Sequence, residues 1–67
     1  MEWHSTGPRE ELVIALAGLL RVECRRAGNR ISRMTVRAGE CAFIPSGTWH
    51  RVLNGFSGAS RYVYVTG

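Results

Sequence analysis

Gly39-Glu40-Cys41-Ala42-Phe43-Ile44-Pro45-Ser46-Gly47-Thr48-Trp49-His50-Arg51-Val52-Leu53-Asn54 decides how this chain is read. Its fixed points run G, five residues, P-x-G, two residues, H, three residues, N. From average usage, two Gly and one Pro at set positions arise by chance at roughly 2 × 10⁻⁴ per start, before His and Asn are counted. Physically the stretch reads as turn, strand, tight turn, strand, with an imidazole just beyond the second turn. Pro45 and Gly47 shape the loop that aims His50, and Asn54 with Gly55 is first of all a turn pair.

Working outward, Gly recurs about every ten residues, with Val, Ile, Thr and aromatics between. That spacing predicts short antiparallel strands in a sandwich or barrel, at 3–6, 11–17, 19–25, 30–37, 41–44, 50–53 and 61–66. An amphipathic helix over 9–26 is the rival. Leu20, Val22 and Cys24 alternate with Arg21, Glu23 and Arg25, which is period two. Gly18 would also cost about 1 kcal/mol inside a helix, so two strands joined by a tight turn fit better. In segment 11–17 the face of Glu11, Val13, Ala15 and Ala17 and the face of Leu12, Ile14 and Leu16 are both apolar beyond Glu11. One face looks into a barrel, and the other calls for a cover, for which a second copy of the chain is the natural partner.

With 67 residues the chain makes a single domain, 1–67. A domain of this size is marginal alone and needs a metal, a partner subunit or very good packing. Its 45% hydrophobic content argues against disorder. The net charge of +4 comes from nine Arg against five Glu, with no Lys or Asp. The arginines are dispersed along the sequence apart from Arg25-Arg26, and read as solvated outer faces of strands. No helix-turn-helix, zinc-finger or RNP pattern is present, so neither nucleic acid nor a membrane is expected as a partner. Cys24 and Cys41 have no CxxC or Cys/His spacing and read as reduced core thiols. No leader-like pattern opens the sequence, and the longest apolar run, 12–20, is too short to span a bilayer. A cytoplasmic location follows as the expectation.

His50 and Glu11 carry the chemistry. Glu11 heads an otherwise apolar face, and a buried carboxylate is costly unless paired or bound to a cation. Neutral imidazole with carboxylate is a ligand set for Fe, Mn, Ni, Cu or Zn. Plainer alternatives stand beside this: His50 as a hydrogen-bonded core histidine, and Glu11 as a surface partner of Arg9 or Arg21. Trp3, Phe43 and Trp49 either line a cavity or simply pack.

The stretch 39–54 resembles the second signature motif of the cupin family at every fixed position. The first cupin motif is G, five residues, H-x-H, three or four residues, E, six residues, G. Glu11 and Gly18 match its E-x6-G, and four residues before Glu11 stands His4-Ser5-Thr6. His4 keeps the first histidine, Thr6 replaces the second, and the opening Gly would fall before residue 1. Twenty residues, 19–38, separate the motifs.

The resemblance implies an all-β double-stranded β-helix, a small jelly-roll barrel truncated at its N-terminus. It implies a divalent transition metal on His4, Glu11 and His50, with Thr6 where a fourth ligand would stand. Thr6, Phe43 and Trp49 are then expected to line the site, and Gly18, Gly39, Pro45, Gly47 and Asn54 to shape the frame. Cupins include dioxygenases, sugar isomerases and epimerases, decarboxylases and lyases. The expected function is therefore a small metal-binding domain, an oxygenase or isomerase acting on a small molecule, in a homodimer. The alternative is a non-catalytic small-molecule binding or sensing module.

Overall fold

The structure is a computed structural model that describes residues 2–67. Seven strands account for the fold: β1 (His4–Ser5), β2 (Glu11–Ala17), β3 (Leu19–Arg25), β4 (Ile31–Arg37), β5 (Cys41–Ile44), β6 (Trp49–Asn54) and β7 (Arg61–Thr66). They form two antiparallel sheets, β1-β6-β3-β4 and β5-β2-β7. This is an all-β jelly-roll sandwich with no α-helix among the described residues. The connection expected at Ala27-Gly28-Asn29 is one 3₁₀ turn with Gly28 and Asn29 at positive φ.

Period-two patterning explains which face each strand buries. Leu20, Val22 and Cys24 of β3 point inward, beside Val36 of β4 and Val52 of β6. Val13 and Ala15 of β2, with Ala42 and Ile44 of β5, supply the opposing layer. Each branched side chain buried here contributes about 1.5–3 kcal/mol. The same parity corrects the expectation for Cys41. Ala42 and Ile44 take the inner positions of β5, so Cys41 and Phe43 face out, and only Cys24 is a core thiol.

Dispersion of arginine along the sequence becomes segregation in the fold. Arg21, Arg25, Arg33, Arg37 and Arg51 share the outer face of the four-stranded sheet. Glu23 sits among them, paired in register with Arg33 on one side and Arg51 on the other. Its carboxylate accepts from Arg33 Nε at 2.7 Å and Arg51 Nε at 2.6 Å, and the two side chains cover it. Trp3 lies under the guanidinium groups of Arg25 and Arg51, at 5.1 and 4.8 Å from its ring centre. The outer face of β5-β2-β7 differs completely: Leu12, Leu16, Phe43, Val63 and Val65 are exposed there.

Two turns tie the motif stretches to each other. Gly18 ends β2 at φ +83°, and a Cβ there would lie 2.4 Å from Ser60 Oγ. That hydroxyl accepts from Leu19 N at 3.1 Å and donates to Asn54 Oδ1 at 2.8 Å. Gly18 and Asn54, 36 positions apart by number, thus meet through one serine. Asn54 also bonds Gly58 O and Phe56 N, so it organises the loop before β7 rather than a two-residue hairpin. At the other end, the Pro45–Thr48 turn is clasped by the segment after β1, with Gly47 N donating to Gly7 O at 2.7 Å.

Candidate metal centre

His50 is on β6, at the register position opposite Cys24 of β3 and His4 of β1. Its neighbours Trp49 and Arg51 face out, so the imidazole points into the sandwich and is fully buried. Glu11 opens β2 on the facing sheet, with its side chain inward and buried. The two meet across the sandwich, with Glu11 Oε2 3.1 Å from His50 Nε2.

The hydrogen bonding of His50 fixes its tautomer. Nδ1 lies 3.0 Å from Thr48 O, and a carbonyl oxygen can only accept, so Nδ1 carries a hydrogen. In a neutral ring Nε2 then holds a lone pair, aimed at a carboxylate that is also an acceptor. Two acceptors at 3.1 Å need a shared proton, on the ring or on the carboxyl, or a metal ion between them. A histidine that donates Nδ1–H to a backbone carbonyl while offering Nε2 is the arrangement by which proteins orient metal-ligating imidazole.

His4 completes the group. Its ring meets that of His50 edge to face, centroids 4.2 Å apart. Nδ1 donates to Glu2 O at 3.3 Å, leaving its Nε2 lone pair free as well. One ligand atom from each of His4, Glu11 and His50 falls within 4.8 Å of the others. Two imidazoles and one carboxylate so placed suit a divalent transition metal with open positions. His4 is exposed while its partners are buried, so the group sits at the mouth of the sandwich.

The structure does not gather the other residues expected to line the site. The Thr6 hydroxyl is committed to the Pro45–Thr48 turn, donating to Pro45 O at 2.7 Å and accepting from Thr48 N at 3.0 Å. It holds the end of β1 onto the loop before His50, which keeps His4 in register with His50. Phe43 and Trp49 are half exposed on outer faces, because their neighbours Ala42, Ile44 and His50 take the inner positions.

In their place the wall comes from Val52, Tyr62 and Tyr64, which with His4 and Glu11 line a cavity of about 240 Å³. Tyr62 and Tyr64 reach it because β7 pairs with β2, placing Tyr64 beside Val13 and Tyr62 beside Ala15 on the inner face. Burial pushes the Tyr62 phenol up, helped by the nearby Tyr64 and Glu11, so it remains a hydrogen-bond donor. Their alternation with Val63 and Val65 is visible in the sequence, but which set faces in depends on the β2–β7 register.

Against known proteins, the cupin domain model matches residues 1–66. The chain belongs to the cupin family. No curated protein sequence matches this cupin. Among solved structures it is similar to Drosophila melanogaster CENP-C, in a crystal structure of that protein bound to CAL1. The TM-score is 0.91 at 16% identity, covering 100% of this chain and 55% of that one. At that identity the likeness is one of fold alone, and this cupin spans little more than half of that chain's length.

Proposed function

We propose that this cupin binds one divalent transition metal through His4, Glu11 and His50 and presents it to a small molecule. One observation supports the reading: His4, Glu11 and His50 each bring one ligand atom within 4.8 Å of the others, with His50 Nε2 3.1 Å from Glu11 Oε2. Once bound, the metal supplies Lewis acidity or redox chemistry at its open positions. The chain supplies the rest. Val52 excludes water from one side of the cavity, and the Tyr62 and Tyr64 phenols offer donors to an oxygen-bearing ligand. A cavity of about 240 Å³ limits that ligand to a small molecule. Oxygenation or isomerisation at the metal is the enzymatic form of this proposal.

A non-catalytic binding or sensing role rests on a separate observation. Beyond His4 and Glu11, the described residues that line the cavity are two tyrosines and a valine. A wall of this kind orients a ligand without supplying a second acid–base group.

Metal content tests the shared part of both readings. The protein is purified without a histidine tag, repleted with Fe, Mn, Ni, Cu or Zn in turn, desalted and assayed for bound metal. The expected result is one equivalent of at least one metal, lost in both His50→Ala and Glu11→Ala. Less than about a tenth of an equivalent after repletion with every metal overturns the proposal. Turnover of small oxygen-bearing substrates by the loaded protein then separates the enzyme from the sensor.

A further inference from the structure

We propose that the outer face of β1-β6-β3-β4 binds a single-stranded nucleic acid, with phosphates on its arginines and a base on Trp49. This role is independent of metal binding. Five arginines against Glu23 leave the face at +4, equal to the net charge of the whole chain. In sequence order the arginines are scattered, and only strand pairing assembles a patch broad enough to hold a polyanion.

Register sets the face out in rows across the sheet. Arg51, Glu23 and Arg33 stand side by side. In the next row Arg25 lies beside Ile31, and because Cys24 pairs with His50, its other neighbour is Trp49. Arg21 and Arg37 continue the charge along β3 and β4, both exposed. Glu23 does not cancel the patch. It is buried and takes a single Nε donor from each of Arg33 and Arg51, which leaves their terminal NH2 groups for phosphate oxygens. Trp3 holds the guanidinium groups of Arg25 and Arg51 over its ring, so both lose less freedom when a ligand arrives.

Trp49 selects the occupant. It is 50% exposed beside these arginines. A stacking surface set in positive charge is the combination that holds single strands without regard to sequence. An acidic polypeptide would satisfy the arginines but bring no base to the indole. A duplex keeps its bases inside the stack, out of reach of Trp49. Every base has a π-face and every strand has phosphates, so DNA and RNA strands should bind alike.

The test titrates the full chain into fluorescein-labelled DNA and RNA strands of about 12 nucleotides, read by anisotropy, with tryptophan emission followed in parallel. Trp3 and Trp49 are the two tryptophans of the chain, so quenching reports this face alone. The expected result is quenching, a Kd of about 1–100 μM near physiological salt, and a slope of about −3 for log K against log salt. Arg21→Glu and Trp49→Ala should each weaken binding about tenfold, and Arg21→Glu should also flatten the slope. Arg61→Glu, the same charge change on the other sheet, should weaken it less than about twofold. A wild-type Kd above about 1 mM at about 50 mM salt overturns the proposal. Equal weakening by Arg61→Glu overturns it too, by reducing the binding to net charge. Displacement of the strand by poly-glutamate, phosphatidylserine vesicles or duplex DNA, as readily as by unlabelled strand at equal charge, overturns it in favour of that partner. Should the variants misfold, wild-type quenching and salt slope decide alone.

Discussion

Glu11 Oε2 stands 3.1 Å from His50 Nε2, joining the first residue of β2 to the second residue of β6 across the sandwich. The contact is local chemistry produced by distant sequence. Thr48 O orients the imidazole, the β2 pleat orients the carboxylate, and the core between the sheets fixes their separation. His4 then adds a second imidazole from the short β1 strand.

Metal binding to this group should appear as stability. A ligand that binds only the folded state adds about 2.7 kcal/mol when present at a hundred times its dissociation constant. The expected outcome is a rise in the thermal midpoint on adding the metal that loads best, and no rise in His4→Ala. His4 is exposed, so its truncation should change the metal-free midpoint little. Differential scanning fluorimetry with and without metal measures both effects. An equal rise in wild type and His4→Ala would remove His4 from the ligand set.

Much of this was legible in the sequence, and the gaps have physical causes. Alternation in β2 and β3, with glycine turns between, located the strands to within a residue or two. Motif spacing singled out His4, Glu11 and His50, which the fold brings together. Residue type alone could not say which way Phe43 and Trp49 point, because an aromatic fits either face of a half-buried strand. Only the inward burial of Ala42, Ile44 and His50 settles it. Tyr62 and Tyr64 escaped notice for a related reason: their place in the cavity depends on pairing with β2, some fifty residues earlier. The arginine-rich face likewise exists only once β3, β4 and β6 are laid side by side.

Thr6 occupies the motif position of a fourth ligand but works as a clamp. Thr6→Val keeps the shape and removes a hydroxyl that serves both Pro45 O and Thr48 N. The bond to Pro45 O is exposed and the one from Thr48 N part-buried, so losing both should cost about 1 kcal/mol. Metal stoichiometry should stay at the wild-type value. Urea unfolding followed by metal analysis separates the two consequences, and a loss of metal from a variant with native stability would restore Thr6 to the coordination sphere.

Glu23 should make stability depend on acid pH. The hydrogen bond from Arg51 is the main cause holding its carboxyl below the ordinary value of 4.5, opposed by burial and supported by Arg33. A carboxyl whose folded value is depressed contributes stability above its unfolded value and loses that contribution as pH falls through the folded one. The loss therefore begins near pH 4.5 and grows below it. Glu23→Gln should be less stable than wild type at neutral pH, and the difference should shrink on acidification. Urea midpoints of both proteins from neutral pH to about pH 3 make the comparison, and a constant difference would contradict the account. Salt should reduce the effect, because Arg33 is largely exposed.

Gly18 is the position where backbone and packing demands coincide. Its φ of +83° disfavours any side chain, at about 1–2 kcal/mol. A Cβ would also press on Ser60 Oγ at 2.4 Å, Ala59 O at 2.8 Å and Ser60 Cα at 2.9 Å. Gly18→Ala should therefore destabilise by more than the backbone cost alone, by pushing the Ala59-Ser60 segment off Leu19 and Asn54. Removing the hydroxyl as well, in Gly18→Ala with Ser60→Gly, relieves only the 2.4 Å contact. Two contacts below 3 Å and the left-handed backbone remain. A double-mutant cycle in urea should thus show coupling between the sites with incomplete rescue. Full rescue would mean that the serine oxygen alone excludes a side chain at residue 18. No coupling would mean that the path from Gly18 to Asn54 does not run through Ser60.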